Sequence, residues 1–408
     1  MQTDVEPEEP PQIPVQPGDV LAGKYSVDRV VGAGGMGVVV VALHVDLHDR
    51  VALKFMLPEA MKSEEAVARF SREARAAFKI KSEHVARVID VGQLHDGAPY
   101  MVMEYLDGSD LDAVVQERGP LPVQEAVEYV LQACEAVAEA HTLGIIHRDL
   151  KPANLFLTRR ADGSACIKVL DFGLSKVNAH ADPARRSKSK SMTGTRQMLG
   201  SPLYMPPEQI LSPRDADARS DIWSLGVILF ELLTAQPPFT GETMAELQGQ
   251  VLTGPPLKLS AVRPDVPPGL EWIIEKCLQK DRVNRFSNVA DLAGALVPFG
   301  PMRGRVSAER VARMVESSGQ FVAIPPPPAW PEAGPSKTIP DAPSSRGGGG
   351  ALRAIAKLPG SAKGALAVGF LVAALLGALG AWVVMSGMAD DARSPGRNSP
   401  ASSGHPKK

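Results

Sequence analysis

Eight consecutive residues, His147-Arg148-Asp149-Leu150-Lys151-Pro152-Ala153-Asn154, constrain this chain more than any other feature. They put a carboxylate, an ammonium and a carboxamide within six residues, on a loop after the apolar helix predicted over Val123–Leu143. Seventeen residues beyond Asn154, Asp171-Phe172-Gly173 follows a predicted strand, Cys166–Leu170. Such a set suits phosphoryl transfer. That chemistry needs a carboxylate to orient an attacking hydroxyl, oxygen ligands for magnesium, and cations against the developing charge.

Two upstream features agree with that chemistry, though each has another reading by itself. Gly32-Ala33-Gly34-Gly35-Met36-Gly37-Val38-Val39 fits G-x-G-x-x-G-x-V, and its glycines let backbone amides approach phosphate oxygens. A dinucleotide-binding turn shares the spacing, and so does a plain hairpin. In the dinucleotide motif, however, the last glycine opens a helix, whereas here Val38-Val39-Val40-Val41 continues as a strand. Seventeen residues beyond Gly37 lies Lys54, in the apolar strand Val51-Ala52-Leu53-Lys54. A buried ammonium needs a partner. Glu73 in the following helix is a candidate, either for function or as a structural ion pair.

Patterning divides the 408 residues into regions. Residues 1–17 hold five prolines and four acids and are predicted to be disordered, with neither the basic start nor the apolar core of a secretory signal. Residues 18–299 are predicted to form one two-lobed domain. Strands at Tyr25–Val31, Val38–Val45, Val51–Met56, Val85–Gln93 and Tyr100–Glu104 are interrupted by one helix, Ser63–Lys79. The pattern then turns helical, including Val123–Leu143 and Ile222–Leu233. Residues 300–364 are predicted to be a proline- and glycine-rich linker. Ala365–Met385 is 21 residues without a charge, about 30 Å of helix, and is predicted to span a membrane. Residues 386–408 would form a short outer tail. Three scattered cysteines exclude a disulfide framework, and a net charge of −2 gives no general attraction to nucleic acid.

The octet, the Asp171 triplet, the glycine loop and Lys54 together resemble the eukaryotic-like (Hanks-type) Ser/Thr protein kinase family in its bacterial membrane-anchored form, over roughly residues 25–290. The resemblance implies an α+β bilobal protein-kinase fold, with a small, mainly β N-lobe and a larger helical C-lobe, followed by one transmembrane helix. It implies that Gly32–Val39 cover the ATP phosphates, and that Lys54 holds them while paired with Glu73. Asp149 would be the catalytic base and Lys151 would neutralise the transferring phosphoryl group. Asn154 and Asp171 would hold magnesium or manganese. Ala52, the gatekeeper Met103 and the hinge from Glu104 to Leu106 would line the adenine site, with Asp110 near the ribose. Pro206-Pro207-Glu208 resembles the family's Ala-Pro-Glu, with Glu208 expected to pair with Arg285, and Ser201 stands where threonine is usual.

Between Gly173 and Glu208 runs a basic, hydroxyl-rich stretch, Arg185 to Arg196. By the same resemblance Arg148 would receive a phosphate carried there, and Thr193 and Thr195 are the expected autophosphorylation sites. Lys151, two residues after the base, is the Ser/Thr-type choice. The expected partners are protein substrates and the inner membrane, reached through one helix, with the catalytic domain on the cytoplasmic, ATP-containing side. Small residues at every fourth position of the span, Ala365 to Ala381, would let two copies pair as a homodimer.

Overall fold

The computed structural model describes residues 15–34, 37–172 and 201–319. The chain opens with β1 (Val20–Leu21), β2 (Tyr25–Gly34), β3 (Gly37–His44) and β4 (Arg50–Met56). The short α1 (Pro58–Met61) and longer α2 (Glu64–Lys79) follow, then β5 (Val88–Gln93) and β6 (Pro99–Glu104). These six strands form one antiparallel sheet in the order β1-β2-β3-β4-β6-β5.

Period-two alternation gives this sheet two different faces. Register aligns Val38, Phe55 and Tyr100 across β3, β4 and β6, and Val40, Leu53 and Val102 beside them. This face is buried against Leu21, Tyr25, Val27 and Val15. Val15 falls in the stretch that the sequence predicts to be disordered, yet the residue is only 7% exposed and completes this cluster. The opposite face brings Met56 and Met101 against Ala66, Phe70 and Ala74 of α2. Ser63 starts α2 by accepting the Ala66 N–H at 3.3 Å, with Glu64 and Glu65 in the positive first turn and Lys79 in the last.

The second lobe begins with β7 (Ser109–Asp110), α3 (Leu111–Arg118) and α4 (Val123–Thr142). The hairpin of β8 (Leu155–Arg159) and β9 (Ala165–Val169) follows, pairing with β7 in a three-stranded sheet. Beyond it come α5 (Pro207–Leu211), α6 (Ala218–Thr234), α7 (Met244–Thr253), α8 (Leu259–Val262), α9 (Pro268–Cys277), α10 (Val289–Leu296) and α11 (Gly304–Ser317). Every residue of α6 from Ser220 to Thr234 is buried, so this helix is the axis of the lobe rather than an amphipathic surface element. Gly226 allows α9 to approach it, because a β-carbon there would collide with the Cys277 side chain. All three cysteines are buried free thiols, and burial pushes the Cys277 thiol up to about 12.

The packed unit runs past residue 299, where sequence placed the start of a linker. Helix α11 buries Ser307, Ala308, Val311 and Val315, the last three within the main core. Gly304 passes close to Leu131, and Arg303 donates to Glu128 Oε2 at 2.6 Å. Among the described residues no helix is long and apolar enough to cross a membrane. The run 365–385 lies outside them.

Candidate active site

Asp221, in the first turn of α6, organises the loop carrying the octet. Its carboxylate is fully buried, accepting the His147 N–H and the Arg148 N–H at 2.9 Å each and the His141 ring Nε2–H at 2.8 Å. Burial works against this charge, but the His141 bond and the backbone donors outweigh it and hold the carboxyl below its ordinary range. The two backbone bonds hold Arg148 in the left-handed region, φ +64°, which is costly for a residue with a β-carbon.

His147 fastens this loop to the next one. Its imidazole is buried, and burial keeps its pKa below the usual value, so the ring is neutral. Nε2 donates to the Leu170 carbonyl at 3.0 Å, leaving Nδ1 to accept the Asp149 N–H at 3.2 Å. The Phe172 ring lies against it, with centroids 4.8 Å apart. Asp149 is thus fixed by its own backbone next to the residue preceding Asp171.

The octet's polar groups converge as the sequence predicted. Lys151 Nζ lies 3.3 Å from Asp149 Oδ2. The Asn154 carboxamide donates to the Asp149 carbonyl at 2.8 Å and to Oδ2 at 3.3 Å, turning its own oxygen away from them. Across the cleft, Lys54 Nζ bonds Glu73 Oε1 at 2.8 Å and Asp171 Oδ1 at 2.7 Å. Burial disfavours the ammonium, but these two carboxylates raise the lysine pKa above its ordinary value, and it stays charged. Asp171 has φ +47°, a second strained backbone position in the same cleft.

In the smaller lobe, register decides which side chains share the face that carries Lys54. Val39 pairs with Lys54, and Val41 with Ala52; Lys54 pairs with Met101, and Ala52 with Met103. Val39, Ala52, Lys54 and Met103 therefore stand on one face of the sheet. Gly32, Ala33 and Gly34 end β2 opposite Val39, Val38 and Gly37; Gly35 and Met36 lie outside the described residues. A β-carbon at Gly37 would strike the Phe55 carbonyl, so the start of β3 lies tightly on β4. Glu104 turns away from this face: its Oε1 accepts the Arg87 N–H and the Lys168 ammonium, both at 2.8 Å. Asp110 caps α3 by accepting the Ala113 N–H at 2.9 Å through Oδ1.

Residues 25–295 match the family described as the protein kinase domain. The chain belongs to the protein kinase family. The kinase PknB of Mycobacterium leprae is 35% identical over 280 residues, which are 68% of this chain and 43% of that protein. Pkn3 of Myxococcus xanthus is 34% identical over 311 residues, 76% of this chain and 55% of that protein. The chain thus spans about half the length of the curated relatives it matches. Among solved structures, the PknI kinase domain of Mycobacterium tuberculosis superposes with a TM-score of 0.53 at 28% identity, covering 70% of this chain and 100% of that one.

The kinase domain closes its far side with the predicted ion pair. Arg285 donates to Glu208 Oε1 at 2.7 Å and Oε2 at 2.8 Å, with Ser220 Oγ also on Oε1 at 2.9 Å. The guanidinium is wholly buried, 5.0 Å from the Trp223 ring centroid. Ser201 opens a 3₁₀ turn to Tyr204, just before this helix. Thr193 and Thr195 lie outside the described residues. Arg148, their expected partner, reaches the Ala216 carbonyl with one nitrogen at 3.4 Å, while its buried Nε has no hydrogen-bond partner among the described residues.

The donor set fits a magnesium ion. One carboxylate (Asp171) and one carboxamide oxygen (Asn154) are few ligands, but magnesium usually takes the rest from phosphates and water. Sequence reasoning missed His141, the bridging role of Asp221, and Gln209, whose side chain donates to the Arg148 carbonyl at 2.9 Å. His141 carries no local signal. Asp221 does: a carboxylate at the head of the apolar run Ile222–Leu233 has to find a partner.

Proposed function

We propose that the chain is a Ser/Thr protein kinase, transferring the γ-phosphate of ATP to protein hydroxyls in bacterial signalling. The observation that carries this is the convergence of Asp149, Lys151, Asn154, Asp171 and the Lys54–Glu73 pair on one cleft. Asp149 accepts the hydrogen bond of the incoming hydroxyl and orients its oxygen in line with the γ-phosphorus. As the new bond from the hydroxyl oxygen to the γ-phosphorus forms, the bond from that phosphorus to the β,γ-bridging oxygen breaks. The leaving ADP takes the electron pair, and Asp149 takes the hydroxyl proton. Lys151 offsets charge on the transferring group, and Lys54 holds the α- and β-phosphates. A magnesium ion held by Asn154 and Asp171 would supply electrostatic neutralisation of the β- and γ-oxygens when bound.

Incubation with γ-labelled ATP and a basic protein substrate tests this reading. The label is expected on phosphoserine and phosphothreonine. Label only on tyrosine, only on small molecules, or nowhere contradicts it.

We propose further that residues 365–385 anchor the enzyme in the membrane, with the catalytic domain on the cytoplasmic side where ATP is. The support is a 21-residue uncharged run preceded by Arg346, Arg353, Lys357 and Lys363. Deleting this run should move the protein from the membrane fraction to the supernatant, and unchanged partitioning would refute the anchor. Phosphorylation of Thr193 and Thr195 would supply an anion to Arg148, whose buried Nε has no hydrogen-bond partner among the described residues. Mass spectrometry of active enzyme should find at least one of the two modified.

A further inference from the structure

Between α2 and β5 the chain makes a turn that is fastened to the larger lobe at several points. The Lys81 N–H donates to Glu139 Oε1 of α4 at 2.6 Å. His84 Nδ1 donates to the Ile167 carbonyl at 2.8 Å. The Val169 N–H reaches the His84 carbonyl at 2.8 Å, and the Ala86 N–H reaches the Val169 carbonyl at 3.1 Å. The turn behind Glu73's helix is therefore joined to β9, the strand that runs into Asp171.

Glu83 is where this turn meets the end of the chain's packed unit. Its Oε2 accepts from Arg160 Nε at 3.1 Å and its Oε1 from Arg310 NH1 at 3.2 Å. The same Arg310 nitrogen lies 3.3 Å from Glu135 Oε2 on α4. Glu135 is buried, and its other oxygen accepts no hydrogen bond among the described residues. Arg310 belongs to α11, beyond the 25–295 match to the kinase family, and Val311 beside it is fully buried.

We infer that Arg310 is a positioning residue for nucleotide binding, an inference that rests on the kinase reading. By joining Glu83 to Glu135 it holds the turn against α4. Helix α2 and strand β9 then keep the spacing at which Lys54 bridges Glu73 and Asp171. A half-exposed ion pair contributes little by itself. Arg310, however, is the hydrogen-bond donor to a buried carboxylate. Its removal leaves Glu135 unpaired beside His84, and the turn must shift to hydrate it.

The test uses the full chain and compares wild type with Arg310→Ala, Arg310→Lys, Glu83→Gln and the Arg310→Ala/Glu83→Gln double variant. The measurements are the MgATP dissociation constant by fluorescence titration, the KM for ATP, and kcat. Arg310→Ala should raise both the dissociation constant and KM by about three- to tenfold, with kcat within about twofold. Arg310→Lys, which keeps a cation at the junction, should restore most of the affinity. The double variant should be no weaker than the weaker single one. Unchanged MgATP affinity in Arg310→Ala overturns the inference, as does a lysine variant as impaired as alanine. If Arg310→Ala fails to fold, Glu83→Gln carries the test, since it leaves the α11 packing intact. MgATP affinity is measured without phosphoryl transfer. A protein whose nucleotide binding depends on Arg310 but which labels no substrate would overturn the kinase reading and leave this inference standing.

Discussion

Asp221 touches no reacting group, yet three donors from the catalytic loop and α4 end on its carboxylate. Asp221→Ala would leave the His147 and Arg148 amides unsatisfied and release the left-handed turn at Arg148. A loss of about 3–5 kcal/mol is expected, as for other broken buried charge networks, together with a fall in kcat larger than any rise in KM. Urea denaturation with matched kinetics checks this, and a stability change under about 1 kcal/mol would contradict the assigned role. The side chains of the proposed phosphoryl-transfer set, Asp149, Lys151, Asn154, Asp171 and Lys54, could be singled out from their motifs, and the structure draws them together. Their supports were less legible. His141 and Asp221 are 80 residues apart, and no local pattern reports a partner at that separation. Glu104 shows a further gap: its place at the end of β6 could be read, but not that its carboxylate faces Lys168 and the Arg87 amide.

Elements follow the same division. The strands of the smaller lobe alternate with period two, and their ends shift by only a few residues: Val85–Gln93 was expected and Val88–Gln93 is observed. Helix α11 escaped notice because its buried positions, Ser307, Ala308, Val311 and Val315, are mostly small and sit among arginines and glutamates after a Gly/Pro-rich start. Their contribution appears only once α4 offers Leu131 and Glu128 as partners. The link between α5 and the segment before α10 is the Glu208–Arg285 pair. The Glu208 carboxyl is disfavoured by burial but held below its ordinary value by Arg285. Arg285→Ala should cost about 3–5 kcal/mol by stranding that buried carboxylate, whereas Glu208→Ala/Arg285→Ala together should lose much less than the sum of the singles. Additive losses in a double-mutant cycle would show the two to be uncoupled.

At the scale of the whole molecule, two buried imidazoles, His84 and His147, have pKa values held below the usual one by burial. Each donates to a carbonyl through one ring nitrogen and accepts through the other, so the folded state needs them neutral. Unfolding lets both take up protons below their ordinary pKa of about 6.5. The stability they contribute is therefore complete above that pH and is lost as pH falls below it. Denaturant midpoints should drop between pH 7.5 and 5.5, and a flat profile would contradict this. Near-neutral total charge likewise conceals a division: residues 18–299 are acidic and 300–364 basic. The central claim is that Asp149 orients a hydroxyl for transfer from ATP. It is tested most directly by single-turnover transfer from γ-labelled ATP in wild type and Asp149→Asn, with MgATP affinity measured in both. The account predicts a fall of about 10²- to 10⁴-fold in transfer rate with affinity little changed; equal rates in the two proteins would contradict it.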